Sequence, residues 1–276
     1  MHTDRTLTDE SVWHDVKQYY DQGREDERLR AGRGRLELWR TQDVLRRRLP
    51  SPPARVIDVG GASGVHAEWL AADGYDVELV DPVPLHVEQA GQLPGVRATR
   101  GDARALEFPD ASADAVLLLG PLYHLPERSD RVMALTEARR VVRPGGFVAA
   151  AAISRFASMH DSIRQGWLGE ADWVAGVEGT VADGMHHGLR YGERNRFTTA
   201  YFHHPDEVAT ELGDAGLTVD AVVAVEGAAA FMATVDDLLD DAASRDVLLR
   251  WIRLTENEPS MLGASGHLLG LATRPA

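Results

Sequence analysis

The stretch Arg55-Val56-Ile57-Asp58-Val59-Gly60-Gly61-Ala62-Ser63-Gly64, continued by Val65-His66-Ala67-Glu68-Trp69-Leu70, decides the fold. Val56, Ile57 and Val59 make a short β-branched apolar run, and the three glycines that follow permit backbone angles that a Cβ forbids. The segment therefore reads as strand, tight turn and helix, with a backbone that a ligand can approach closely. Asp58 is the unusual residue, a carboxylate at the end of a strand that should be central and buried. A dinucleotide-binding turn reads G-x-G-x-x-G and seats a pyrophosphate at a helix N-terminus, where a neighbouring acid would repel it. Here the pattern is D-x-G-x-A-x-G, which favours a ligand with positive charge at this end, such as an ammonium or a sulfonium.

Outward from this turn, Asp76–Asp81 reads as a second strand that again ends in an acid. Asp81 stands 17 residues past Gly64, where a carboxylate can accept both hydroxyl hydrogen bonds of a ribose; an N-cap for the helix from Pro84 is the plain alternative. Val96–Gly101 reads as a third strand, followed by Asp102 and Ala103. Ala113–Gly120 is a continuous apolar run, as expected of a central parallel strand, and leads into Pro121-Leu122-Tyr123-His124 at the end of the sheet where open α/β folds bind ligands. A helix over 127–142 and a turn Arg143-Pro144-Gly145-Gly146 precede a fifth strand ending near Ser154.

These residues together resemble the class I S-adenosylmethionine (SAM)-dependent methyltransferases, whose motif I is usually D/E-x-G-x-G-x-G; Ala62 stands in place of the middle glycine. The resemblance covers 53–154 by motif and extends by pattern to a helix at 205–215 and strands at 218–225 and 267–272. It implies a Rossmann-like, doubly wound α/β fold with a seven-stranded, mostly parallel sheet and an antiparallel edge hairpin. It also implies SAM as cofactor, with Asp58, Gly60, Gly61, Gly64, Asp81, Pro82, Asp102, Ala103 and Leu119 at its site. In that family an acid after strand three meets the adenine amino group, a position that Asp102 matches, with the Ala103 N–H left for a ring nitrogen. The segment Tyr19-Tyr20-x-x-Gly23-x-Glu25-x-x-Arg28-Leu29 is similar to one found ahead of motif I in bacterial small-molecule methyltransferases. It implies a lid in which Tyr19 or Tyr20 covers the cofactor and Arg28 lies near its carboxylate; an amphipathic helix packed on the core is the other reading. Glu37, Arg40 and Thr41, on the next helix, belong to the same cover or form a surface ion pair.

The organisation expected is a helical lid at 1–50, a SAM-binding core at 51–154, a substrate cap at 155–203 and the rest of the sheet at 204–276. The cap carries Trp167 and Trp173, with Arg190, Tyr191, Tyr201 and His203 as candidate substrate contacts. The net charge of −14, which no run of basic residues offsets, argues against nucleic acid as substrate. The chain has no cysteine, hence no disulfide or thiolate metal site, and no apolar run approaches the roughly 18 residues that span a bilayer. A soluble cytoplasmic protein follows, the resemblance implies an enzyme with a small-molecule methyl acceptor, and homo-oligomer formation is open. Methyl transfer is an in-line displacement that depends on alignment, with a base where the acceptor carries a proton. His124 is the candidate base or orienting group, beside Tyr123. The adjacent pairs His186-His187 and His203-His204 match no metal-site spacing, so no metal is expected. Three functions compete: a methyltransferase acting at O, N or C of a small molecule such as a specialised metabolite; a SAM-binding enzyme of another reaction, such as cyclisation; and a nicotinamide-dependent oxidoreductase.

Overall fold

The computed structural model describes residues 25–276 except 189, 192, 193 and 196, with the side chains of 25–27 and 189–196 also outside it. Tyr19, Tyr20 and the first helix expected from the sequence lie outside the described residues. Seven strands build the main sheet: β1 Arg55–Val59, β2 Asp76–Asp81, β3 Val96–Arg100, β4 Ala113–Leu118, β5 Val142–Ile153, β6 Thr218–Ala224 and β7 His267–Thr273. Their spatial order is β3-β2-β1-β4-β5-β7-β6. The first five are parallel, and β7 runs antiparallel to both neighbours, from His267 opposite Ile153 to Thr273 opposite Phe147. The Rossmann-like doubly wound α/β sheet with its antiparallel edge is thus present.

Alternation along the strands divides the core. Ile57, Val59, Val116 and Leu118 face one apolar layer, and Val56, Val77, Ala115 and Leu117 face the other. Both faces are covered, which is why these strands read as near-continuous apolar runs.

Two features depart from the expected pattern. The strand-helix alternation is broken between β3 and β4, where residues 101–112 form a loop. Its backbone is satisfied by side chains from the helix Arg128–Val141: Arg140 donates to the Leu106 and Phe108 carbonyls, and Glu137 accepts from the Leu106 N–H. The β6–β7 connection is not a tight hairpin but holds the helices Val235–Asp240, Ala242–Thr255 and Pro259–Leu262. Leu36 of the helix Gly34–Arg46 packs there with Val235, Leu239 and Ile252, so the N-terminal segment and this insertion form one helical layer. Between β5 and β6, the helices Ala157–Gln165 and Ala171–Asp183 and a ribbon of Met185–His187 with Thr199–Tyr201 make up the segment expected as the cap.

Candidate active site

Two cavities open at the C-terminal ends of the parallel strands. The first, about 610 Å³, is walled by the Gly60–Ser63 turn, Asp81–Val83, Gly101–Arg104 and Leu119–Leu125. The second, about 890 Å³, lies between the cap, the N-terminal helices and the start of β7. Arg28, Glu37 and Tyr123 line both, so they mark the junction.

The glycine turn has the shape the sequence called for. Gly60 has φ +68°, and a Cβ there would stand 2.8 Å from Pro121 Cδ. Gly64, also at positive φ, begins the helix Val65–Ala72. Ala62 holds the left-handed φ of +49° in a residue with a side chain, which costs about 1 kcal/mol. Its N–H donates to Asp81 Oδ2 at 3.0 Å, which pins the strained residue. Asp81 Oδ1 accepts from the Val83 N–H at 2.9 Å and lies 3.0 Å from His86 Nδ1. Asp81 therefore clamps two loops and offers the cavity its remaining lone-pair direction.

Asp58 is fully buried beneath this turn, its carboxylate 2.6 Å from where a Gly61 Cβ would stand, and it does not line the first cavity. Neither carboxylate oxygen has a hydrogen-bond partner among the described residues. Burial, and secondarily the charge of Asp81, push its pKa up to about 7. The folded state thus favours protonated Asp58: the contribution of Asp58 to wild-type stability falls as pH rises from about 4 to about 7 and is level above that. Asp58→Asn is expected to be the more stable protein at pH 8, by at most about 4 kcal/mol at about 1.4 kcal/mol per unit, with the gap closing near pH 4. Denaturant titrations across this range check it; a gap independent of pH would refute the assignment.

Asp102 and Ala103 line the first cavity with Pro82 and Leu119. The Asp102 carboxylate accepts from the Arg104 backbone N–H and guanidinium; burial opposes ionisation, but these bonds hold its pKa below the usual carboxylate value. Tyr123 and His124 follow β4 as expected, their rings 4.6 Å apart, with His124 stacked on Phe197 at 6.1 Å. Burial lowers the His124 pKa to about 3, so the ring is neutral and weakly basic.

Other candidates lie elsewhere. Tyr201 and His203 line neither cavity but join a buried network behind it: Arg131 pairs with Glu211 at 2.8 Å, Tyr201 lies under Arg131, and His203 Nε2 is 3.3 Å from Glu211. The side chains of Arg190 and Tyr191 lie outside the described residues. Glu37 is no surface residue: it accepts both guanidinium hydrogen bonds of Arg28, at 2.6 and 3.1 Å, at the junction. Arg40 and Thr41 are buried in their helix's packing. Unforeseen in the sequence are Glu226 and His267, whose side chains meet at 2.5 Å on the wall of the second cavity. Glu37, Glu226 and His267 bring ligand atoms within 4.8 Å of one another, the one such set among the described residues. With Arg28 they comprise two acids and two bases, a set that balances its charge without an ion.

Comparisons with known proteins agree with this geometry. The model of the family described as "Methyltransferase domain" matches residues 57–150. An uncharacterised methyltransferase of Mycobacterium tuberculosis is 34% identical over 133 residues, 48% of this chain and 50% of its own length. Over residues 57–150 the chain carries a methyltransferase domain, in agreement with the class I SAM-dependent methyltransferases that its motifs resemble. A second relative, the demethylmenaquinone methyltransferase of Beutenbergia cavernae, is 36% identical over 124 residues, covering 44% of this chain and 49% of that protein. The chain thus spans about half the length of these curated relatives. A solved SAM-dependent methyltransferase of Methanosarcina mazei shares the fold at a TM-score of 0.59 and 18% identity, covering 84% of this chain and 97% of that one. The first cavity suits SAM: its glycine turn leaves backbone exposed, carboxylates stand at Asp81 and Asp102, and apolar walls lie between them.

Proposed function

We propose that the protein moves a methyl group from SAM in the first cavity to O, N or C of a small molecule in the second. The acceptor belongs to specialised metabolism and the setting is the cytoplasm. The single observation that carries this reading is the shared wall of Arg28, Glu37 and Tyr123, which lets a donor and an acceptor meet at one point. When bound, SAM supplies a methyl group activated on a sulfonium. Asp81 accepts from one ribose hydroxyl through its remaining lone-pair direction, Asp102 and Ala103 take the adenine, and Pro82 and Leu119 flank it. Gly60, Gly61 and Gly64 keep the turn open for the amino-acid end, and Arg28 faces its carboxylate. Tyr123 closes the junction against water, and neutral His124 orients it; proximity and exclusion of water supply most of the acceleration.

The second cavity is lined by Tyr123, Trp167, Trp173, Phe197 and Phe202, which suits a flat, partly apolar acceptor. The quinone named for the Beutenbergia relative is of this kind. Incubation with SAM and a panel of phenols, naphthols, hydroquinones and aromatic amines tests the proposal: S-adenosylhomocysteine should appear together with a product heavier by one methylene. Conversion without S-adenosylhomocysteine would favour the non-methylating reading, and failure to bind SAM would end both. Trp167, edge-on to Trp173 at 5.6 Å, is part of the acceptor wall. Trp167→Ala is expected to raise acceptor KM at least fivefold and leave SAM affinity within twofold. Equal losses in both would place Trp167 in the frame of the fold instead.

A further inference from the structure

We infer that His267, positioned by Glu226, is the base that takes the acceptor's proton, and that the acceptor is therefore a phenol or enol. This rests on the second cavity being the acceptor site.

The geometry comes from the antiparallel strand. β7 begins at His267 against the C-terminal end of β5, and Glu226 follows the C-terminal end of β6, so the insertion of β7 brings the two side chains to the catalytic end of the sheet. Glu226 Oε1 lies 2.5 Å from His267 Nδ1, while Glu226 Oε2 accepts from Ser265 Oγ at 2.8 Å and from the His267 backbone N–H at 3.0 Å. The carboxylate is thus held by three contacts, and the ring's Nδ1 is committed to it. Nε2 has no hydrogen-bond partner among the described residues, and the ring lines the second cavity beside Glu37, whose Oε2 is 3.6 Å from Nδ1. A carboxylate that fixes one ring nitrogen and leaves the other to the substrate is the arrangement by which an imidazole becomes a directed base.

The groups facing His267 are Glu226 after β6, Glu37 and its partner Arg28 from the N-terminal helices, and, through Glu37 and Glu226, His66 and Arg33. Burial lowers the His267 pKa, but Glu37 and Glu226 outweigh it and bring it to about 9. Proton transfer is most effective when base and acid are matched, and a phenol such as tyrosine ionises near 10. His124, with its depressed basicity, is poorly matched to that task. In the step, the acceptor's O–H proton passes to Nε2. The oxygen lone pair forms the new O–CH3 bond as the S–CH3 bonding pair stays with sulfur, leaving a neutral thioether. The imidazolium then releases its proton to water.

The experiment has two arms on the full chain. In the first, S-adenosylhomocysteine release is followed with the phenols and naphthols of the panel, from pH 6 to 10. The expected kcat/KM climbs about tenfold per pH unit and levels near 9; Glu226→Gln moves that break down by a unit or more; His267→Gln lowers kcat about a hundredfold with SAM affinity within twofold. Turnover of amines alone, a raised KM with kcat unchanged in His267→Gln, or activity lost on chelation and restored by Mn2+ would each overturn the inference. In the second arm, NMR of histidine-labelled protein titrates the ring directly. His267 should titrate near 9 in the wild type and at least a unit lower in Glu226→Gln; an ordinary value unmoved by the substitution overturns the inference even with no acceptor in hand. Absence of SAM binding by the wild type strikes instead at the proposed function.

Discussion

Asp81→Ala is expected to weaken SAM binding tenfold or more and to lower folding stability by about 2 kcal/mol or more. Asp81 does more than make the ribose contact proposed for it. Its oxygens accept from the Ala62 and Val83 N–H groups and contact His86, so the substitution releases two loops of the cofactor cavity together. A donor left unpaired in such a site costs about 1 to 3 kcal/mol, and Ala62 keeps its left-handed conformation only while its N–H is held. Asp81→Asn, which can satisfy one of the N–H groups but turns its own NH2 toward the other, should fall between. Calorimetry with SAM and denaturant unfolding measure the two effects. A folded Asp81→Ala protein with unchanged SAM affinity would remove Asp81 from the site.

Arg40→Met is expected to cost about 3 kcal/mol of stability. Arg40 is wholly buried, donates to Glu256 at 2.6 Å, to Asp43 at 2.5 Å and to the Val225 carbonyl at 3.1 Å, and so ties the N-terminal helix to the β6–β7 connection. Breaking a buried pair costs about 3 to 5 kcal/mol because the surviving charge is stranded; Arg47, which also pairs with Glu256, places the loss at the low end. Glu37 lies one turn earlier on the same helix, so the surviving protein should show a raised acceptor KM with SAM affinity less affected. A change in unfolding free energy below about 1 kcal/mol would mean that the helix is held by its apolar face alone.

Among the parallel strands, β1, β4 and β5 were legible because they are largely buried on both faces and carry their own apolar runs, whereas β3, with Arg97, Thr99 and Arg100 exposed at the sheet edge, was legible only by its place in the order. Asp81 and Asp102 were legible as positions, since the ends of strands face the ligand side. That Asp81 spends most of its capacity on the loops was not, because the strain at Ala62 appears only once the turn is built. His86, five residues beyond Asp81 on the following helix, was the available clue. The helix-free β3–β4 connection was not legible, because Arg140 and Glu137, some 30 residues away, supply the hydrogen bonds a helix would have made internally. Tyr201 and His203 looked like substrate contacts by residue type, but the buried Arg131–Glu211 pair claims them. Glu226 and His267 left no local signal. They are 41 residues apart and meet only through the antiparallel insertion of β7.

The most direct measurement is a crystal structure of the protein with S-adenosylhomocysteine. The account requires the adenine at Asp102 and Ala103, the ribose at Asp81, and the sulfur facing the junction of Arg28, Glu37 and Tyr123, with the aromatic-lined cavity open beyond it. A nucleoside seated in that second cavity, or a sulfur turned away from the junction, would contradict it.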